Sequence, residues 1–149
     1  MRTAQELIAL IENDKITELT TSDFKIKFTS QELKEFIHFC IVSKSLESVE
    51  IKNIDFNPVI ECLLGQVLPM NNSIKKLELN NLGAFDLVAS ALKECLQFNT
   101  GIEELVISNN VKLNEVLQYL APNLKANSKI KKLVLTANSL KTDSINQIS

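Results

Sequence analysis

The sequence predicts an α/β protein, a stack of about five strand–helix units whose strands share one parallel sheet. Three observations carry that reading. First, one phrase recurs as Leu46-x-x-Val49-x-Ile51, Ile74-x-x-Leu77-x-Leu79, Ile102-x-x-Leu105-x-Ile107 and Ile130-x-x-Leu133-x-Leu135, with first positions 28 residues apart each time. A fixed period of this size marks a repeat architecture, in which each unit buries its apolar face against the next. Second, the apolar period is two at the end of each phrase, as in a short strand, and becomes helical between phrases. Third, helix-start signals stand ahead of the helical stretches.

The 149 residues read as a single domain. Residues 1–15 form an N-terminal capping helix, opened by the capping box Thr3-Ala-Gln-Glu6 and turning Leu7, Leu10 and Ile11 toward the first unit. A looser first phrase, Ile16-x-x-Leu19-x-Thr21, lies 30 residues before Leu46. Units therefore begin near 16, 46, 74, 102 and 130. A second capping box, Thr29-Ser-Gln-Glu32, opens the helix carrying Leu33, Phe36, Ile37, Cys40 and Ile41. Asn57-Pro58 supplies a cap residue followed by proline at the first helical position, where a missing N–H costs nothing. Asp86 and Asn114 are the expected caps of the later helices. The sets Ile60, Leu64, Leu68; Val88, Leu92, Leu96; and Val116, Leu120, Leu124 place one apolar stripe on each helix. Residues 141–149 read as a partial repeat or tail, which leaves open whether the chain is whole or a segment of a longer array.

This pattern resembles the leucine-rich repeat family, in particular its 28-residue, ribonuclease-inhibitor-like type, whose consensus is apolar at positions 1, 4, 6 and 11 with Asn or Cys at 9. Ile130, Leu133, Leu135, Asn138 and Leu140 fit throughout. The unit at Ile102 keeps Asn110 but has its last apolar residue, Leu113, one position late, and Ile54 and Leu82 stand where two other units need Asn. The resemblance implies a curved leucine-rich-repeat solenoid, with parallel strands on the concave face and helices on the convex one, that binds proteins.

Composition narrows the partners. Sixteen basic residues face 18 acidic ones, and Arg2 is the single arginine, which argues against nucleic acid. The longest apolar run near the N-terminus, Leu7 to Ile11, is too short for a signal-peptide core or a bilayer span. The expectation is therefore a cytoplasmic protein without membrane insertion, monomeric or stacking end to end through its C-terminal repeat. Richness in Lys, Asn and Ile extends this to a bacterial effector that enters a host cell without a conventional signal peptide.

Catalytic chemistry is thinly supplied. Cys40, Cys62 and Cys95 are odd in number, lack metal-ligand spacing and sit among apolar residues, so they read as buried thiols. His38 is the only histidine and reads as a surface or boundary residue, and Gly65, Gly83 and Gly101 are too isolated for a phosphate-binding loop. No catalytic residue, cofactor or metal is expected, and the chain reads as a non-enzyme. One alternative is a recognition or regulatory segment of a larger repeat protein or adaptor. Another is a small-GTPase activator, for which Arg2, at a mobile terminus, would be the sole arginine finger.

The candidate surface is the outward face of the strands. Equivalent residues run Glu47, Lys75, Glu103, Lys131 and, beside them, Ser48, Lys76, Glu104, Lys132. The alternating charges predict either self-complementary pairing or a surface for a partner of mixed charge. Between them lie Glu50, Glu78, Val106 and Val134, where two acids give way to two valines, with Ser108 and Thr136 as a polar margin. Glu50, Glu78, Asn80, Val106, Ser108, Val134 and Thr136 are the partner-binding candidates, with Lys52, Asn53, Asn81 and Asn109 toward the strand ends as hydrogen-bonding groups or plain turn residues.

Overall fold

The computed structural model describes residues 1–99, 101–109, 118–123 and 129–136. Asn110, Leu113, Asn114, Val116, Leu124, Asn138, Leu140 and the 141–149 tail lie outside the described residues. In chain order the elements are α1 (Ala4–Glu12), β1 (Glu18–Leu19), a 3-10 turn (Thr21–Lys25), α2 (Ser30–Val42), β2 (Ser48–Lys52), α3 (Pro58–Cys62), a π-helical turn (Leu63–Val67), β3 (Lys76–Asn80), α4 (Phe85–Phe98), β4 (Glu104–Ser108) and β5 (Lys132–Thr136). Residues 118–123 are also helical. The strands form one sheet, all parallel, in the order β1-β2-β3-β4-β5.

The 28-residue period becomes register. Val49 lies beside Leu77, Leu77 beside Leu105 and Leu105 beside Leu133. Every second strand residue enters the core, where Val49, Ile51, Leu77, Leu79, Leu105 and Ile107 join the helix stripes Ile60, Leu64, Leu68 and Val88, Leu92, Leu96 in one apolar cluster. The alternate strand residues of β2 and β3 stay partly exposed on the opposite face.

Local chemistry sets the helix starts. Thr3 and Glu6 close one capping box and Thr29 and Glu32 another, each Thr Oγ1 accepting a backbone N–H at 3.1 Å. Asn57 Oδ1 accepts the N–H groups of Val59 and Ile60 ahead of Pro58 at the helix start. Asp86 is not a cap: α4 begins behind Ala84, held in the left-handed region at φ 55°, and Asp86 sits in the first turn, where the helix dipole favours a carboxylate.

Two elements depart from the expected pattern. The first strand ends at Leu19, because Thr20 donates its backbone N–H to Asp23 Oδ2 at 2.9 Å and the chain turns into the 3-10 segment at Thr21. The helix after Pro58 widens into the π-helical turn, where Leu68 N–H reaches the Leu63 carbonyl at 2.9 Å; Gly65 lies in this turn with no neighbour crowding its Cα.

The ribonuclease-inhibitor-type reading fails at its own key position. Leu82 is buried and Ile54 packs against the core, so two of the places where that pattern needs an asparagine carry apolar side chains, which can form no hydrogen-bond ladder. The ladder among the described residues stands elsewhere, three residues before the phrases at Leu46, Ile74 and Ile102. Asn71 Nδ2 donates to the carbonyl of Cys40, and its Oδ1 accepts the N–H groups of Ser73 and Ile74, all at 2.8 Å. Asn99 repeats the device one unit on, bonding the Leu68 carbonyl and accepting from Gly101 at 2.9 Å and Ile102 at 2.7 Å. Ser43 is the shortened first member, its Oγ accepting from Ser45 and Leu46. Asn71 and Asn99 are buried, so each satisfies backbone groups that water does not reach.

Candidate functional site

The exposed sheet face neutralises its own charge. Glu50, Lys52, Glu78, Lys76, Glu104 and Lys132 form one continuous chain of ion pairs, with N···O distances of 3.2, 3.5, 4.0, 3.4 and 3.9 Å in that order. Beside it Glu103 bridges Lys75 at 3.9 Å and Lys131 at 3.4 Å. The in-register alternation therefore pairs within the sheet. Single exposed pairs contribute about 0–1 kcal/mol each, but Glu78 gains from position: its side chain is 16% exposed and lies between two ammonium groups. Glu50, hydrogen-bonded to the Lys52 ammonium, raises the lysine above its ordinary pKa, and Glu78 adds to the effect.

Val106 and Val134 are register partners at the centre of β4 and β5, each half-exposed. Glu50 and Glu78 occupy the same level on β2 and β3. Ser108, expected as a polar margin, is 5% exposed, with Asn80 and Thr136 as its register partners. Asn80 accepts at Oδ1 from Asn109 Nδ2 at 3.2 Å. Asn53, Asn81 and Asn109 all end their strands with φ between 52° and 55°, and Asn81 donates to Asn53 at 2.8 Å. Asparagine tolerates this left-handed conformation better than most residues, so these positions serve as turns.

Arg2, expected at a mobile terminus, is instead pinned: its Nη1 lies 3.3 and 3.4 Å from the two oxygens of buried Asp23. All three cysteines are free and buried, and desolvation pushes the Cys95 thiol up to about 12 and raises Cys40 and Cys62 as well. His38 is exposed with its ring edge-on to Phe39 at 5.1 Å. Among the described residues no group of three or more His, Cys, Asp and Glu is placed to hold a metal ion, and no helix is long and apolar enough to cross a membrane.

One concavity has no counterpart in the sequence reading. A cavity of about 480 Å³ opens between the 3-10 turn and the start of α3, with Ile26, Phe28, Leu33, Ile54 and Val59 along its walls and Lys25 and Lys27 as its only charged lining residues. Its sequence signal is the alternation Phe24, Lys25, Ile26, Lys27, Phe28, which lies outside the 28-residue phrase.

No protein-family model matches the chain, and no curated protein sequence matches it. Among solved structures it is similar to leiomodin-1 actin-binding site 2, with TM-score 0.70 and 18% identity over 99% of this chain and 86% of the other. It is also similar to the Caenorhabditis elegans tropomodulin C-terminal domain, with TM-score 0.68 and 16% identity over 99% and 89%. These likenesses replace the ribonuclease-inhibitor type as the description of the fold.

Proposed function

We propose that the chain is a non-catalytic protein-binding module, a short repeat solenoid that takes its partner on the exposed, concave face of its sheet. The observation that carries the reading is the Val106–Val134 pair, apolar and half-exposed on a face whose lysines are all held by carboxylates of the same sheet. Such a face offers a partner apolar contact and hydrogen-bonding groups without a strong field, which suits a protein surface and disfavours a polyanion. The similar leiomodin-1 domain is an actin-binding site, so actin is the first partner to test. Cytoplasmic action, in the producing cell or as a bacterial effector in a host cell, belongs to the same proposal and is supported by three unpaired thiols, which suit a reducing compartment.

The test is binding of purified actin to the immobilised chain, with Val106→Arg/Val134→Arg beside the wild type and both checked for equal melting. The expected result is retention by the wild type and a loss of about tenfold or more in the variant. Equal binding by the variant places the interface off the sheet, and no binding by either removes actin as the partner.

A further inference from the structure

We propose a second binding surface, distinct from the sheet face: residues 25–28 and the cavity beside them take an extended, acidic polypeptide segment that pairs as a strand with the backbone of Lys27 and Phe28. Three features converge there. Ile26 has extended backbone at φ −66° and ψ 137°, as has Thr29 at φ −69° and ψ 166°. Burial alternates as in a strand, with Phe24 and Ile26 buried, Lys25 and Lys27 exposed and Phe28 half-buried. Yet Lys27 and Phe28, beyond the 3-10 segment, make no hydrogen bond to any described residue. A stretch of extended backbone with unpaired N–H and C=O groups is the template on which strand addition works.

The cavity supplies specificity. Its walls are largely apolar, so a Leu- or Val-sized side chain of the added strand gains by burial there. Its rim sets the sign of the partner. Lys25 and Lys27 are exposed, are held by no carboxylate among the described residues, and face a lining that contains no acid. On the sheet face, by contrast, every lysine is neutralised. Two uncompensated ammonium groups flanking an apolar cavity complement a segment whose carboxylates alternate with apolar residues. Because it uses none of the sheet residues, the proposal stands or falls independently of the sheet-face reading.

The test uses the full chain labelled with nitrogen-15 and an acetylated, amidated octapeptide of alternating acidic and apolar residues, Asp-Val-Glu-Leu-Asp-Val-Glu-Leu. The expected result is saturable binding that moves the amide signals of Ile26, Lys27, Phe28, Leu33 and Ile54. Lys25→Glu/Lys27→Glu, which alters only exposed side chains, is expected to weaken it about tenfold. The same peptide with lysine in place of its acids, and the peptide with alternate amides methylated in the register that faces the protein, should both fail to bind. Absence of saturable binding, shifts confined to the strands, indifference to the double variant, equal binding by the methylated peptide, or full displacement by inorganic tripolyphosphate would each overturn the proposal.

Discussion

Asn71 donates its side-chain amide to the backbone carbonyl of Cys40 at 2.8 Å, across 31 residues of sequence. One unit later Asn99 does the same to Leu68, again across 31 residues. Each asparagine thereby ties the start of its own strand to the helical segment one unit further back, α2 for Asn71 and the end of the π-helical turn for Asn99. Replacing Asn99 by Ala strands one buried carbonyl and the N–H groups of Gly101 and Ile102, and is expected to cost about 2–4 kcal/mol in urea unfolding. Asn81→Gly, at a left-handed turn residue with φ 52°, is the control and is expected to change stability by less than about 0.5 kcal/mol.

Arg2 joins the first residues of the chain to the 3-10 turn through Asp23, whose side chain is 2% exposed. Arg2→Ala leaves that carboxylate with only its Thr20 N–H partner. A fully buried pair broken in this way costs about 3–5 kcal/mol, but the Arg2 side chain is 38% exposed, so the expected loss is about 1–2 kcal/mol. Calorimetry of Arg2→Ala and Asp23→Asn measures it; an unchanged melting temperature would show that the pair contributes nothing.

Glu78 lies between Lys52 and Lys76. Glu78→Lys places three ammonium groups side by side and is expected to destabilise the chain by about 1–2 kcal/mol at low ionic strength. The deficit should shrink by half or more in about 1 M salt, where the screening length falls to about 3 Å. A loss that ignores salt would mean that packing, not charge, holds Glu78.

The buried thiols predict alkaline lability. Cys95 is raised from 9.0 to about 12 in the fold, and Cys40 is raised further still. Between those values and 9.0 the unfolded chain releases a proton that the folded chain keeps, so stability falls as pH rises above about 9. Each thiol contributes a slope of about 1.4 kcal/mol per pH unit, and it is absent below pH 8. Urea unfolding from pH 8 to 10 should show the decline, and Cys40→Ala/Cys95→Ala should flatten it.

The sequence and the structure agree where one physical signal repeats. Four copies of the phrase give the register of β2 to β5, and the two capping boxes and Asn57 give three helix starts, because each signal is local and satisfied by neighbours in sequence. Legibility stops where a residue answers to a distant partner. Arg2 reaches Asp23 from 21 residues away, and the 28-residue comparison does not contain that contact. Asn71 and Asn99 recur at the right spacing, 28 residues apart, but three residues ahead of the phrase that carries the period. On the sheet face, the alternation of sign matches the pairing of charges, while the burial of Ser108 has no counterpart in the repeat pattern. Lys25 and Lys27 become the rim of a cavity only once Ile54 and Val59 fold beside them.

The alternation of charge along the sheet also constrains how such a chain can change length. Duplicating residues 74–101 alone would set a second Lys75 and Lys76 beside the first, and deleting 102–129 would bring Lys75 and Lys76 against Lys131 and Lys132. Adding or removing the 56 residues from 74 to 129 together sets no like charges beside one another at these two positions. The sheet thus carries a parity, and the array lengthens without repulsion only two units at a time.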